Sequence, residues 1–444
     1  MQNFKNAIEK NKELILKAEC YIWENPETGY KENKTSRYLE EAFELLGYDL
    51  VKAGDIPGFY TILDTGRPGP EVLILGEMDA LLCPEHPEAD AETGAVHCCG
   101  HVTQCAALLG LAAALKEPEV LDEMCGKIRL CAVPAEELIE IEYRLSLRKE
   151  GRIKYVGGKT EFLHRGYFDG VDLAFMVHAT PEKSAHVKLG SVGLVAKQVT
   201  YKGIAAHAGG NPWDGCNALY AATQGLSAVN AIRETFKDAE LVRVHPIITQ
   251  GGSVVNAIPD RVKLESFVRG RELETIHEVN KRVNRALCGG ALSLGANINI
   301  MDIPGYAPLF NDADMMDVAE EAWNMSSDMP FVRYNSMGTG STDFGDLSCL
   351  MPVVHPYVPG AKGKSHGADY YIEDPELACV TSALWQLHML YLLLKDGAQR
   401  ANKILACFEP KFGSKEEYFA YIDRFNADGD CIDYLADGTI KVKL

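Results

Sequence analysis

One apolar run in this chain ends in two adjacent carboxylates. Lys127-Ile-Arg-Leu-Cys-Ala-Val133 has the aliphatic content of a buried strand, and Pro134-Ala-Glu-Glu137 follows at once. Buried carboxylates need partners, so this strand must finish where both can meet cations or water. Glu71-Val-Leu-Ile-Leu-Gly-Glu-Met-Asp79 is another apolar run closing on acidic residues, and Val171-Asp-Leu-Ala-Phe-Met-Val177 closes on His178. Val102 to Leu115 reads as a helix whose Ala and Gly content permits close packing. Strands alternating with helices, each strand ending in polar residues, define an α/β sheet whose carboxyl ends hold the site.

Immediately before that helix stands His97-Cys-Cys-Gly-His101. Cys99 and His101 are possible metal ligands two residues apart across a glycine. Thiolate, imidazole and carboxylate together suit zinc or manganese-type ions. Two neighbouring glutamates at a strand's end suggest divided labour, one binding metal and the other moving protons. That combination points to a hydrolase.

The bulk numbers fit this reading without selecting it. At 444 residues the chain exceeds one comfortable core, so two domains are expected. A formal net charge of -19 argues against nucleic acid or an anionic membrane as the main partner. No signal peptide is visible in the opening Met1–Lys10, and no uninterrupted apolar run reaches the ~20 residues that span a bilayer. Thirteen cysteines, an odd number scattered along the chain, read as reduced thiols, so the expected location is the cytoplasm.

Organisation follows the periodicity. Residues 4–46 read as two helices around the turn Asn25-Pro-Glu-Thr-Gly29. From Leu194 the pattern becomes strand (195–201), helix (212–235), strand (242–249), then strand (261–268), helix (273–287), strand (297–303). This is the order of a ferredoxin-like split unit. The expected division is a catalytic domain over 1–193, an inserted domain over 194–303, and a return to the catalytic domain with a C-terminal tail over 304–444. The return holds a helix at 312–323, a Gly-rich loop at 338–343 and a long helix at 375–394. The charged stretch 138–159 reads as a surface excursion or lid, and the tail from Lys411 has no assignable chemistry.

Taken in order, these motifs resemble the M20 metallopeptidases and amidohydrolases, more narrowly their D subfamily. That group includes aminoacylase-like enzymes, plant auxin-conjugate hydrolases and bacterial p-aminobenzoyl-glutamate hydrolases. The resemblance covers nearly the whole chain: Asn25–Gly29, Gly76–Leu81, His97–His101, Pro134–Glu137, Phe175–His178, Gly203–His207, Asn256–Asp260, Gly340–Asp343, His355-Pro356 and Ser365–Gly367. It implies a zinc-peptidase-like α/β/α catalytic domain carrying a ferredoxin-like α+β lid that dimerises. It further implies two divalent metal ions, zinc or manganese, on Cys99, His101, Glu137, His178 and His366, with Glu136 as general base. His207 resembles a histidine that reaches into the partner subunit's site of a homodimer to hold the substrate carbonyl. Asn256 and Arg269 resemble substrate-binding positions, and Arg269 has the fork that grips a carboxylate. Two departures stand out. Val102 replaces a usual Asp or Asn, so a contact to the metal ligands is missing or supplied elsewhere. Cys98 offers a second thiol beside Cys99, and the spacing to His101 favours Cys99.

Each residue also has an ordinary reading. Cys99 with His101 alone would be a buried thiol beside a structural histidine, and the glutamate pair and motif order reverse that. His178 could be a plain strand-terminal histidine, His366 and His207 solvated loop histidines, and Arg269 an ion-pair partner. Asp79 could orient a metal-bound imidazole or serve as a cap, and Asp343 reads as a helix N-cap. His97 is a possible neighbour of the ligands, while His355 and the other histidines read as structural. Three functions compete. The first is a metal-dependent amidohydrolase or peptidase acting on an N-acyl amino acid, an aminobenzoyl-glutamate-like conjugate or a dipeptide. The second is a non-catalytic binding or regulatory protein that keeps this fold. The third is a cysteine hydrolase using Cys98 or Cys99 with His101, which would ignore chelators.

Overall fold

The computed structural model describes residues 2–444, which divide into two compact units. Along the chain come helices α1 (Gln2–Lys10), α2 (Lys12–Trp23) and α3 (Asn33–Leu45), then strands β1 (Val51–Lys52), β2 (Phe59–Asp64) and β3 (Glu71–Glu77). Helix α4 (His101–Leu115), strand β4 (Lys127–Val133), helices α5 (Ile141–Lys149) and α6 (Gly158–His164) and strand β5 (Leu173–Phe175) follow. The next elements are β6 (Gly193–Lys202), α7 (Ala218–Ile232), β7 (Arg243–Gln250), β8 (Arg261–Gly270), α8 (Leu273–Ser293) and β9 (Asn297–Tyr306). The chain ends with α9 (Ala313–Ser326), β10 (Val353–Val354), α10 (Ser382–Cys407) and β11 (Ala427–Asp430), among shorter pieces.

The first unit comprises residues 1–190, 309–338 and 342–415. Its main sheet runs β1-β2-β4-β3-β5-β10, parallel from β4 to β10. Every residue of β3 is buried, as expected of a parallel strand covered on both faces. Helix α4 is buried along all fifteen residues, packed against β3, α2 and α10, which explains why it is apolar all round. Gly110 of α4 permits that approach, since a Cβ there would lie 2.4 Å from Ile15 Cδ1. The helix Glu376–Cys407 is long and apolar enough to cross a membrane, but 83% of its apolar window is buried inside the fold. It is a core helix.

The second unit comprises residues 191–308, 339–341 and 416–444. Its antiparallel sheet runs β7-β8-β6-β9-β11, and α7 and α8 pack on it. Along β8 buried and partly exposed residues alternate, so one face lies under the helices. Residues 416–444, grouped above with the return segment, lie in this unit because β11 pairs with β9.

Three local differences from the sequence reading have physical causes. The first segment holds three helices, because the Asn11 side chain donates to Ala7 O (2.9 Å) and competes with helix continuation. Helix α7 begins at Ala218, not Pro212, because Asn217 caps it by accepting from Leu219 N and Tyr220 N. The stretch 138–159 is not simply a surface excursion: Arg144 and Lys159 within it are fully buried.

Glu19 on α2 makes the fold's stability depend on pH. Burial pushes its carboxyl up to about 7. An acid with a raised folded pKa favours folding when protonated, so that stability is lost as pH rises from its unfolded pKa toward 7. Glu19→Gln should therefore raise Tm by roughly 2–4 °C at pH 8 and leave it unchanged near pH 4, as measured by calorimetry at both pH values.

Candidate metal and catalytic site

The site forms where β3, β4 and β5 release their carboxyl ends. Gly100 opens it. This residue has φ +111°, and a Cβ there would sit 2.5 Å from Tyr370 Oη, which donates to Cys99 O (3.0 Å). Only glycine fits, and the sharp turn brings the Cys99 and His101 side chains into one cluster. His101 starts α4 and is 1% exposed. Its Nδ1 lies 2.9 Å from Asp79 O and 3.2 Å from Asp79 Oδ1, so it carries the proton, and Nε2 faces the carboxylates. His178 repeats the device: Nδ1 lies 2.6 Å from Ala179 O, and Nε2 lies 3.4 Å from Cys99 Sγ. Burial pushes the His178 ring down to about 4, so it is neutral, as a ligand must be.

The glutamates enter from a strained turn. Ala135 has φ +58°, a conformation that disfavours any side chain, and its N–H donates to Glu32 Oε1 (2.8 Å). Glu137 N donates to Asp79 Oδ2 (2.8 Å), and Glu137 Oε1 lies 3.1 Å from His366 Nε2. Burial opposes charge on Glu137, yet His366 and His101 outweigh it and hold the carboxyl at about 2. Glu136 Oε2 lies 3.8 Å from His101 Nε2. Burial first, then the charges of Glu77 and Glu137, pushes the Glu136 carboxyl well up. His366 also sits at positive φ (+64°), its N–H donating to Cys98 O (2.8 Å).

Three sets of ligand atoms each fall within 4.8 Å: Cys99, His101 and His178; Cys99, Glu137 and His366; and Glu77, His101 and Glu136. Thiol, imidazole and carboxylate donors with Nε2 atoms oriented by Nδ1 contacts fit divalent metals. The structure thus brings Cys99, His101, Glu136, Glu137, His178, His366 and Asp79 together. Cys98 instead packs with Leu81, Val96, Ala179 and Tyr370, where burial pushes its thiol up to about 12. Val102 is fully buried, while His101 Nδ1 faces Asp79 and Gln104 Nε2 donates to Glu77 Oε2 (2.6 Å).

His207, Asn256 and Arg269 belong to the second unit. His207 is exposed, its Nδ1 accepts from Gly209 N (3.1 Å) and Gly210 N (2.9 Å), and it bridges to Ala257 beside Asn256. Arg269 Nε lies 3.2 Å from His245 Nε2, and Nη1 donates to Ser341 Oγ (3.1 Å).

Sequence reading missed a buried ion network. Lys159 Nζ contacts Glu77 Oε1 and Asp343 Oδ1, and Lys159 N donates to Asp343 Oδ2 (2.7 Å). Asp343 stands at the helix start expected of it, but its carboxylate serves Lys159 instead of capping. Burial opposes charge on Glu77, but Lys159 and His101 outweigh it and hold the carboxyl below the usual range. His355, read as structural, stacks on His178 with ring centroids 5.9 Å apart. A lysine directly after Gly157-Gly158 was the available signal, because such a backbone permits close packing. A Cβ at Gly158 would lie 1.6 Å from Pro134 O.

The architecture and donor set define a metallohydrolase of the α/β type with an added α+β unit. The chain belongs to peptidase family M20/M25/M40, whose model matches residues 73–389. It is 28% identical over 351 residues to the Xaa-Arg dipeptidase of Mus musculus, covering 76% of this chain and 74% of that one. It is 31% identical over 261 residues to the indole-3-acetyl-aspartic acid hydrolase of Enterobacter agglomerans, covering 56% of this chain and 55% of that one. Its fold matches a dinuclear metal-binding M20 peptidase of Bacillus subtilis with TM-score 0.62 at 20% identity, over 89% of this chain and 99% of that one. The protein is therefore a metal-dependent hydrolase of the amidohydrolase and peptidase class.

Gly100→Ala tests the site's foundation. The added methyl collides with Tyr370 Oη at a positive φ, so bound metal should fall by at least about tenfold at fixed free zinc. Elemental mass spectrometry after dialysis against buffered zinc measures it.

Proposed function

We propose that this enzyme hydrolyses the amide bond of an N-acyl amino acid, an aminobenzoyl-glutamate-like conjugate or a dipeptide, using two divalent ions, zinc or manganese, per chain. The observation that carries this is the convergence of Cys99, two oriented imidazoles and the Glu136–Glu137 pair at the strand ends. Cys99, His101, Glu137, His178 and His366 hold the ions, and Asp79 orients His101. When bound, the ions supply Lewis acidity that brings water ionisation near neutral pH. Glu136 takes the proton of the attacking water and returns it to the leaving nitrogen, which a poor leaving group requires. Its raised carboxyl pKa suits a group that must both accept and donate.

His207 serves the developing oxyanion from the partner subunit of a homodimer, and Asn256 and Arg269 hold the substrate's carbonyl and carboxylate. The guanidinium of Arg269 is steadied by His245 and Ser341, which favours bidentate capture. Dimerisation through the second unit is supported by β7, an edge strand carrying the exposed Ile247 and Ile248. Thirteen free cysteines fit a reducing, cytoplasmic setting.

Glu136→Gln should keep its metal while kcat falls by roughly 10³-fold, and chelator should abolish wild-type turnover. Turnover of N-acetyl amino acids, p-aminobenzoyl-glutamate and dipeptides, alongside metal content, decides this. An active, chelator-insensitive wild type would return the assignment to the thiols. No turnover despite bound metal would favour a binding protein.

Subunit mixing tests His207. If it acts across the dimer, His207→Ala and Glu136→Gln are each nearly dead, yet their heterodimers regain one intact site. Mixed dimers should then exceed either parent by at least about tenfold. Activity no greater than the parents' would place His207 in its own subunit's site or outside catalysis.

A further inference from the structure

We propose that Arg144, carried on the excursion between Leu138 and Gly157, is a positioning residue that locks the Pro134–Glu137 turn so that Glu136 and Glu137 face the site. This rests on the assignment of Glu136 as general base. Arg144 lies on α5 with its side chain fully buried. Its Nη1 donates to Val156 O (2.7 Å) and Ala135 O (3.4 Å), and its Nη2 donates to Glu137 O. One guanidinium therefore spans the two carbonyls that flank Glu136. Glu32 Oε1 accepts from Ala135 N (2.8 Å), and Gly158 N donates to the same Ala135 O (3.1 Å).

The surrounding backbone shows that this arrangement is imposed. Tyr30 (φ +63°), Ala135 (φ +58°) and Glu140 (φ +52°) all occupy the left-handed region without being glycine. All three adjoin Arg144. The Tyr30 ring lies 5.6 Å from its guanidinium carbon, Ala135 accepts its hydrogen bond, and Glu140 stands at the N-cap position of its helix. Residues so strained persist only where neighbours over-determine them. Glu140 is itself tied to the 25–31 turn, accepting from Thr28 Oγ1 (2.5 Å) and Lys31 Nζ (2.6 Å). Gly29 leaves room for the guanidinium, since a Cβ there would lie 2.4 Å from Arg144 Nη2. A lysine has no planar fork and cannot span these carbonyls.

The test uses full-length protein with Arg144→Lys and Arg144→Gln, measuring kcat, KM and zinc affinity by chelator competition. The substrates are N-acetyl amino acids, p-aminobenzoyl-glutamate and dipeptides. A positioning role predicts that kcat and zinc affinity each fall by roughly 10–100-fold while KM stays within about threefold. A merely structural role would lower Tm but leave kcat and zinc affinity of the folded protein within about twofold, which overturns the proposal. If the wild type turns over nothing, the functional assignment falls and zinc affinity alone decides the role of Arg144. If neither variant folds, Glu140→Gln decides on the same readouts. It releases the anchor without emptying the core, and a loss of at least about threefold is expected.

Discussion

The structure depends on Asp79. This residue follows β3 by two positions, and its carboxylate is shared between two parts of the site that are distant in sequence. One oxygen accepts the Glu137 N–H at 2.8 Å, and the other, with the Asp79 carbonyl, faces His101 Nδ1. The strained glutamate turn after β4 and the helix start at His101 are thereby fixed to one strand end. Because β3 and β4 are parallel neighbours with Glu77 opposite Val133, both arrive at the same level of the sheet. The ligands converge because parallel strands finish together, and Asp79 converts that proximity into a definite geometry.

Such a cluster carries a charge problem that the rest of the first unit is built around. Glu77, Asp79, Glu136 and Asp343 are all buried carboxylates, and Lys159 is the fully buried ammonium among them. Charges a few ångströms apart at low dielectric interact strongly, and like charges repel as strongly as opposite ones attract. Lys159 contacts both Glu77 and Asp343 but carries only one positive charge, so carboxylates remain in excess around the site. Burial and repulsion raise Glu136, whereas Glu137 is held low by His366. Two adjacent residues are thus driven apart in basicity, one toward proton transfer and one toward permanent charge. Divalent cations are the natural complement of the remaining negative charge.

Most of the candidate ligands were legible because they lie just after an apolar strand or at the start of an apolar helix, whereas His366 lies in a loop with no such signal. Cys99 and His101 flank a glycine before an apolar helix, Glu136 and Glu137 follow an apolar strand, and His178 follows another. The starting point of the helix after Asn217, the fifth strand of the second sheet, Ala427–Asp430, and the burial of Arg144 were not legible. The first depends on one side-chain cap that outweighs a longer apolar pattern. The second is a short, fully exposed strand whose pairing comes from β9, far away in sequence. The third reverses what composition implies, since a charged stretch normally faces water. The network of Lys159, Glu77 and Asp343 was hidden for a related reason. Its members are spread over 266 positions, and only the fold makes them neighbours.

Strain and charge are coupled in this site. A turn such as 134–137 would relax if it were free, because a left-handed alanine costs on the order of 1–3 kcal/mol. It is not free: Glu32, Gly158 and Asp79 each hold one of its backbone groups, and Arg144 holds two. Two of these four partners are carboxylates that accept from N–H groups, and one is a guanidinium that donates to carbonyls. The turn's backbone dipoles are therefore satisfied from outside, leaving the carboxylates of Glu136 and Glu137 available to chemistry instead of to capping. The excursion after Glu137 fits the same logic. A stretch whose composition belongs on the surface folds back, and the Arg144 guanidinium within it donates to the carbonyls on either side of Glu136.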